Sequence, residues 1–491
     1  MSRAVRAVGI GFALGALALA LTAGVAFARR VALAEWLLLD WIAARGVSPA
    51  ALRVTRVDVR GIAIADLALG APDTPDLAIA EITASWSLAG LRERRLDSLR
   101  VSGVELRGTQ REGQLSLGAL DALLAGDAPA DATPALPASE IAIDAARIRI
   151  STPQGVATGT LGGSVQSAAD GAIGGEFKLA LDGGGLRARG ALEVSGSLGA
   201  PAFHALLEAE PGLPIAGRVE VRGRIEREQG ERVFDATVAL RDASFTSDIM
   251  RLSGVNGVIA LRGPPLHTPK KQILSLGMVD VGVPLTEGLV EFTLRRDGTV
   301  AVALAMLHFA EGELRAQDVV LDLDAKQTAV TLQARSLDLT ALLAQVDMPG
   351  IEGSGTLDGD VPLVRTGKSL VVKGADLHAT EGGGKIRYTP AEETRALAAS
   401  RPNDLGLAVD AFSNFQYEIL EAKLDGELQG EMKIGLHVRG ANPDFQDGRP
   451  VEVNLNLEAR LADLVRDASA AYRVPAAVEE RLRAFSEGKG K

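Results

Sequence analysis

Hydrophobic and polar residues alternate in short runs along most of this chain. The clearest run lies near the C-terminal end and has an apolar residue at every second position: Val451, Val453, Leu455 and Leu457. Because successive side chains of a strand point to opposite faces, this run predicts a strand with one apolar and one polar face. Leu436 and Val438 belong to a similar predicted strand, and turn residues at 441–450 separate the two.

The same alternation recurs upstream and predicts a mainly β protein. Val57 and Val59 are in phase within the first predicted strand, 53–60, and Gly61 resets the phase after it. Further strands are predicted at 141–150, 176–182, 186–195, 218–226, 233–241, 258–262, 289–296, 300–307, 314–324 and 328–336. No long helical pattern separates these strands, so we expect antiparallel pairing rather than a parallel sheet with crossover helices.

Helical patterns are few and short. One covers 116–126, ahead of a Pro- and Ala-rich linker at 127–139. Another covers Leu337–Met348 and places four apolar residues on one face: Leu339, Leu342, Leu343 and Val346. A helical tail is predicted from Ala459 to Phe485. It either packs over the last strands and protects the sheet edge, or contacts a membrane or partner.

The N-terminal stretch Ala7–Ala28 carries no charge and is long enough to cross a bilayer as a helix, for which roughly 20 residues suffice. Its leucines are the predicted membrane anchor: Leu14, Leu17, Leu19 and Leu21. Trp36 and Trp41 follow at interfacial depth, in a segment that we expect along the membrane surface. A cleaved signal peptide is the alternative, since Ala26–Ala28 resembles a cleavage site, although the apolar run exceeds the usual core of about 7–15 residues.

Composition narrows the possible functions. Hydrophobic residues make up 47% of the chain but aromatic residues only 4%, so the predicted apolar face is aliphatic. The net charge of −11 argues against nucleic-acid binding, which requires basic patches. The absence of cysteine excludes disulfides, thiol catalysis and cysteine-ligated metals.

No pattern of catalytic, cofactor-binding or metal-binding residues is found, and the chain is not expected to be an enzyme. The five histidines lie in separate predicted strands and turns, and His437 is expected on a polar face. Gly353, Gly355 and Gly359 are interpreted as turn glycines, because no helix follows them to bind phosphate at its N-terminus. Asp322 and Asp324 are interpreted as the polar side of an ordinary strand.

Two parts of the chain resemble a known family. The order of strand pair, AGLRERR break and LDSLRVSGVELRG strand resembles the N-terminal unit of the AsmA-like proteins. The C-terminal part, 337–464, contains four ordered motifs that resemble the YdbH-type branch of AsmA-like intermembrane lipid transporters. They read LDLTALL with GIEGSGTLDGDVPL, then GGGKIRY, then NFQYEIL, then GANPDFQDGRPVEVNLNLE.

The resemblance implies a long antiparallel sheet, curled into a U-shaped groove with its apolar side inward. It implies phospholipid transport between the inner and outer membranes without catalysis, from a single-pass inner-membrane anchor with the bulk of the chain in the periplasm. A small outer-membrane lipoprotein is the implied partner, and the open edge of strand 451–458 is suited to strand addition. A structural scaffold of the envelope, with the apolar face sealed, is the alternative. The expected groove residues are Leu436, Val438, Val451, Val453, Leu455, Leu457, Val57 and Val59.

The predicted organisation has six parts. They are a membrane anchor with a juxtamembrane helix (1–45), an AsmA-like β unit (46–113), a short helix with linker (114–140), β-groove repeats (141–336), a YdbH-like β domain (337–464) and a helical tail (465–491).

Overall fold

The computed structural model describes residues 29–460, except 94, 112–113, 125–135, 153–154, 169, 229–230, 323–324, 326, 346–349 and 390–409. The described helices are α1 (Arg30–Ala43), α2 (Leu88–Arg92), α3 (Ala119–Leu124) and α4 (Leu339–Gln345), with one 3₁₀ turn at Gln446–Gly448. The anchor stretch Ala7–Ala28 lies outside the described residues, and so does the predicted helical tail after its first two residues. Those two, Ala459 and Arg460, are not helical but end the last strand, Pro450–Arg460. Within the part that is described, no helix has the length and hydropathy needed to span a membrane.

Most described residues lie in β-strands. The first eleven are β1 (Ala50–Asp58), β2 (Gly61–Ala71), β3 (Thr74–Ser85), β4 (Leu96–Arg111), β5 (Gln114–Ser116), β6 (Ala138–Thr152), β7 (Gly155–Ser167), β8 (Ala172–Gly183), β9 (Leu186–Ser197), β10 (Ala200–Ala209) and β11 (Ile215–Glu228). The next seven are β12 (Glu231–Thr246), β13 (Arg251–Gly263), β14 (Gln272–Asp280), β15 (Pro284–Leu294), β16 (Thr299–Phe309), β17 (Gly312–Asp322) and β18 (Gln327–Asp338). The last seven are β19 (Ile351–Ser354), β20 (Thr356–Thr366), β21 (Ser369–Ala379), β22 (Gly384–Tyr388), β23 (Phe415–Glu427), β24 (Glu431–Ala441) and β25 (Pro450–Arg460).

The chain divides into two compact units, Met1–Val238 and Ala239–Lys491, with the boundary inside β12. In unit 1, β1 to β4 pair antiparallel in sequence order, and so do β6 to β10 and then β11. In unit 2, antiparallel pairing runs from β13 to β18, then through β20, β21, β23 and β24 to β25. The short strands β19 and β22 pair with each other, and β22 also pairs with the start of β23.

The expectation of antiparallel pairing is wrong at two places. The smaller is a single parallel pair between β11 and β9, Ile215↔Leu186. Strands β4 and β6 are parallel over a long register, from Leu96↔Ala138 to Thr109↔Ser151. Parallel strands need a crossover connection of a dozen or more residues, and the segment between β4 and β6 is long enough to provide it. This segment contains β5 and α3, so the short helix predicted at 116–126 lies within the crossover.

Helix α1 forms the start of the hydrophobic core of unit 1. Ile42 is buried against Leu52, Val54 and Leu69, and other apolar residues of α1 pack at the same place. The segment expected along a membrane surface is therefore helical but has one face bound to the sheet. The reason is that β1–β3 present an apolar face that the helix covers.

The core of unit 2 lies between its strands and α4. It includes Leu314, Leu337, Leu357, Leu377 and Phe415, with no exposed surface on Phe415. The helix predicted at 337–348 corresponds to α4, and the alternating run from Val451 to Leu457 lies inside β25. The two predictions are confirmed.

Candidate functional site

Unit 2 contains an apolar cavity of about 810 Å³, here called the cavity. Its lining consists of aliphatic and aromatic side chains, among which the Tyr388 side chain is the one with a polar group. Its volume lies within the range of about 300–1,000 Å³ that is usual for binding pockets of small molecules. This lining is suited to hydrocarbon and contains no charged group for catalysis or for recognition of an ion.

Strand register explains why the lining is continuous. Leu377, Ala422, Leu436 and Leu455 are successive register partners across β21, β23, β24 and β25, and all four line the cavity. Residues two positions apart in a strand lie on the same face, and these strands have apolar residues at that spacing, so the neighbouring rungs are also apolar. Leu420 pairs with Val438 in one of these rungs.

Helix α4 closes part of the cavity wall with Leu339, Leu342 and Leu343. A Cβ atom on Gly353 of β19 would lie 2.7 Å from Leu343 Cδ1 and 2.9 Å from Leu339 Cδ2, so glycine permits this close packing. The sequence indicated an apolar helix face here but did not assign these residues to the groove. The four-residue spacing of Leu339 and Leu343 could have indicated a helix face that lines the groove. The contact of this face with β19 could not be derived from the sequence.

The structure places three of the predicted groove residues, Leu436, Val438 and Leu455, in the cavity lining. Val451 packs against the adjoining core cluster, and Val453 is half-buried opposite Val438. Leu457 is the register partner of Ile434, another lining residue, but its side chain is not among those described. Contact of these residues with lipid stays a prediction.

The two valines predicted near the N-terminus have different environments. Val57 packs against the apolar cluster beneath α1 in unit 1. Val59 is 80% exposed and does not lie on the apolar face. The phase argument is wrong for Val59 because β1 ends at Asp58, and residues 59–60 form the turn into β2.

Unit 1 has its own apolar face within the predicted β-groove repeats, although none of its residues is among the expected groove residues. Phe177, Leu192, Ala205 and Val221 are successive register partners across β8 to β11. Of these only Ala205 is fully buried, and the others are half-buried. The face therefore remains partly accessible and is suited to contact with hydrocarbon.

Helix α1 is apolar on its outer side as well. Leu33, Trp36, Leu37 and Trp41 are exposed, with 62% of Trp36 and 51% of Trp41 accessible. The guanidinium of Arg45 lies 3.7 Å from the centre of the Trp41 ring. Aromatic residues combined with cations are typical of a membrane interface.

The polar faces carry cross-strand ion pairs. His437 of β24 contacts the carboxylates of Glu452, at 3.0 Å, and Glu421, at 3.3 Å. The hydrogen bonds to Glu452 and then Glu421 raise the pKa of His437 above its ordinary value. His437 thus lies on the polar face as predicted, but its partners were missed because they belong to neighbouring strands.

The fold also bears on the interpretations of the three glycines and of the two aspartates, Asp322 and Asp324. Gly353 lies in β19 and Gly359 in β20, with only Gly355 between the strands, so the interpretation as turn glycines is wrong for two of the three. Gly359 is required because a Cβ there would collide with the carbonyl oxygen of Asp376 on β21. Asp322 ends β17, while Asp324 lies outside the described residues. Within the part of the chain that is described, no group of three or more His, Asp or Glu residues is arranged to hold a metal ion.

Comparison with known families identifies one match. The model of the YdbH-like family, described as intermembrane phospholipid transport protein YdbH, matches residues 16–209 and 175–483. The two matched segments together include most of the chain, both the cavity and the apolar face of unit 1. No similar chain is found among the curated proteins, and none among the solved structures.

Proposed function

Because the chain belongs to the YdbH-like family of intermembrane phospholipid transport proteins, we propose that it conducts phospholipid between the inner and outer membranes of a bacterium. The acyl chains lie against the apolar faces of the two units, and the polar head remains in water. The observation that carries this proposal is the cavity, because its lining is hydrocarbon from α4 to Leu455. The family is one of lipid transport rather than of enzymes, and the proposed activity requires no catalysis.

The energetic argument concerns the acyl chains. Exposing one CH₂ group to water costs about 0.8 kcal/mol, so two acyl chains of a phospholipid cost roughly 20 kcal/mol or more. Unassisted exchange between membranes is therefore slow. A sheet curled into a U-shaped groove removes most of this cost, because the tails exchange one apolar environment for another.

The proposal includes a single-pass anchor in the inner membrane. The uncharged stretch Ala7–Ala28 would cross the bilayer, and the matched region begins within it, at residue 16. Helix α1 follows after Arg29, and its outer side would lie in the membrane interface with Trp36 and Trp41. The remainder of the chain would then extend into the periplasm.

A partner at the other membrane is part of the same proposal. Within the described residues, β25 pairs with β24, and a strand added to the second edge of β25 would continue the sheet. A small outer-membrane lipoprotein that adds a strand to this edge would extend the path for lipid.

Site-specific photo-crosslinking in cells tests the proposal. A photoreactive amino acid replaces Leu455, which lines the cavity, or its neighbour Asn456, which has the opposite orientation in β25. We expect phospholipid attached at 455 and none at 456. Protein-only products, or no product, at 455 would mean that the apolar face is sealed, as in a structural scaffold.

A further inference from the structure

In unit 2, two turns on one rim of the sheet contact two turns on the opposite rim. A rim is the row of turns at one end of the antiparallel strands. Turns 247–250 and 281–283 lie at the start of β13 and the end of β14, which are adjacent because Arg251 pairs with Asp280. Turns 367–368 and 428–430 follow the ends of β20 and β23.

The register shows that these pairs of turns belong to different rims. Turn 295–298 lies at the opposite end of β15 from turn 281–283. The pairs Thr299↔Asp322 and Gln327↔Thr366 place turn 367–368 on the rim of turn 295–298. Val371 pairs with Glu427, which places turn 428–430 on that rim too. The sheet of unit 2 must therefore curl for the two pairs to meet.

Two polar contacts join the rims. Lys368 Nζ lies 2.5 Å from Asp248 Oδ2, and Gln429 Nε2 donates a hydrogen bond of 3.1 Å to the Ile249 carbonyl oxygen. The hydrogen bond between the two side chains, and then their opposite charges, lower the pKa of Asp248 and raise that of Lys368. These contacts join residues 120 and 180 positions apart in sequence. We call this set of contacts the clasp.

Apolar packing accompanies the polar contacts. Val281 packs against the cluster that contains Leu428 and Met432, and all three residues also line the cavity. Between them, Gly282 has φ of +101°, and a Cβ on it would lie 3.1 Å from Gln429 Cγ. The clasp thus lies at the boundary of the cavity, and the positive φ of the turn beside it favours glycine at position 282.

We propose that the clasp is a gate, which must open before the polar head of a phospholipid can pass this section of the groove. This inference rests on the proposed lipid transport. In a groove that encloses the tails, the head moves along the open side, and the clasp bridges that side. The side chains of Lys368 and Asp248 are 85% and 68% exposed, and an ion pair so accessible to water holds only weakly. Weak contacts across the opening suit a reversible closure better than a permanent seam.

The chain contains no cysteine, so the clasp can be locked without a background of other thiols. The main variant is Asp248→Cys with Lys368→Cys in the full-length chain, bridged by a reducible bismaleimide. A second variant, Ile249→Cys with Gln429→Cys, is bridged by the same reagent, because Gln429 Nε2 lies 3.1 Å from the Ile249 carbonyl oxygen. Each single-cysteine variant, treated in the same way, is the control for labelling.

The readout is transfer of a fluorescent phospholipid from donor vesicles that contain the protein to acceptor vesicles, both of phosphatidylethanolamine and phosphatidylglycerol. We expect bridging to reduce transfer at least fivefold and reduction of the bridge to restore it. Lys368→Glu should accelerate transfer by repulsion from Asp248, and the exchange of both charges, Asp248→Lys with Lys368→Glu, should return it to the original rate.

Three results would overturn the gate. Failure of both cysteine pairs to bridge in the folded protein would show that the rims do not meet. Equal transfer by bridged and unbridged protein would show a clasp that is only structural. Absence of transfer and of lipid crosslinks in the unbridged protein would reject the lipid conduit itself, and the bridging yield would still report whether the clasp exists.

Discussion

Leu436 on β24 and Leu455 on β25 are direct register partners, and both side chains line the apolar cavity of unit 2. The rung continues inward through Ala422 and Leu377, which are buried, while Leu455 is 43% exposed. The rung thus leads from the core to the accessible edge of the cavity. Leu455 is therefore the position at which the lining can be altered with the least effect on folding.

A charge at this edge should reduce lipid binding. Leu455→Asp places a carboxylate among hydrocarbon, where a charged group is strongly disfavoured. We expect about a tenfold loss of co-purified phospholipid, which corresponds to about 1.4 kcal/mol of binding free energy. Asn456→Asp introduces the same charge on the opposite face and should leave the lipid content unchanged. Equal losses in both variants, measured by mass spectrometry of extracted lipid, would contradict a specific role for the lining.

The outer side of α1 should contact lipid in the full-length protein. The chain has three tryptophans, so Trp86→Phe leaves only Trp36 and Trp41, both exposed on α1. In vesicles that contain brominated phospholipid we expect strong quenching of their fluorescence. The matched variant, Trp36→Phe with Trp41→Phe, leaves Trp86, whose Nε1 donates a hydrogen bond to the Val59 carbonyl oxygen at 3.0 Å. Similar quenching in both variants, or none in either, would contradict an interfacial α1.

The pair of carboxylates around His437 should make stability depend on pH. Glu452 and then Glu421 raise its pKa above the ordinary value near 6.5 in the folded protein, so folding favours the protonated form. The resulting stabilisation is complete below about pH 6.5 and is lost as the pH rises through the raised pKa. The urea midpoints of the original protein and His437→Gln should thus differ most in acid and converge at alkaline pH. Glu452→Gln should lower the pKa of His437 in an NMR titration, and a difference in midpoint that does not vary with pH would refute the argument.

The two glycines of β20 and its following turn should respond very differently to substitution. Gly367 has φ of +59° with no atom near its Cβ position, so Gly367→Ala should cost only the backbone strain of about 1–2 kcal/mol. Gly359→Ala forces a Cβ against the Asp376 carbonyl oxygen on β21, and either the pairing or the rung above it must shift. We expect more than about 3 kcal/mol of lost unfolding free energy for Gly359→Ala. Urea unfolding of both variants measures the loss of unfolding free energy. Similar losses in the two variants would show that β20 and β21 can separate without cost.

Local alternation was sufficient to predict strands and one face of α4. Val451 to Leu457 lie in β25 as predicted. Their alternation was a sufficient signal because side-chain direction in a strand depends only on sequence spacing. The short helix at 337–348 was predictable for the same reason, since its leucines recur at helical spacing. The family was also recognisable, because four motifs follow in order between Leu337 and Leu464, and the family match includes them.

Other features depend on which strands become neighbours, and sequence spacing does not encode this. Val59 is exposed because β1, and with it the alternation of side chains, ends at Asp58. The parallel pair β4 and β6 depends on the path of the crossover, and the partners of His437 come from two other strands.

The sequence by itself determined the strands, their apolar faces and the family, because those properties come from local spacing and ordered motifs. Only the tertiary structure decided the cavity and the clasp, because residues as distant as Ile249 and Gln429 meet only when the sheet of unit 2 curls. That curvature results from packing of the apolar faces against one another and against α4, a cooperative property to which every strand contributes and which no single stretch specifies.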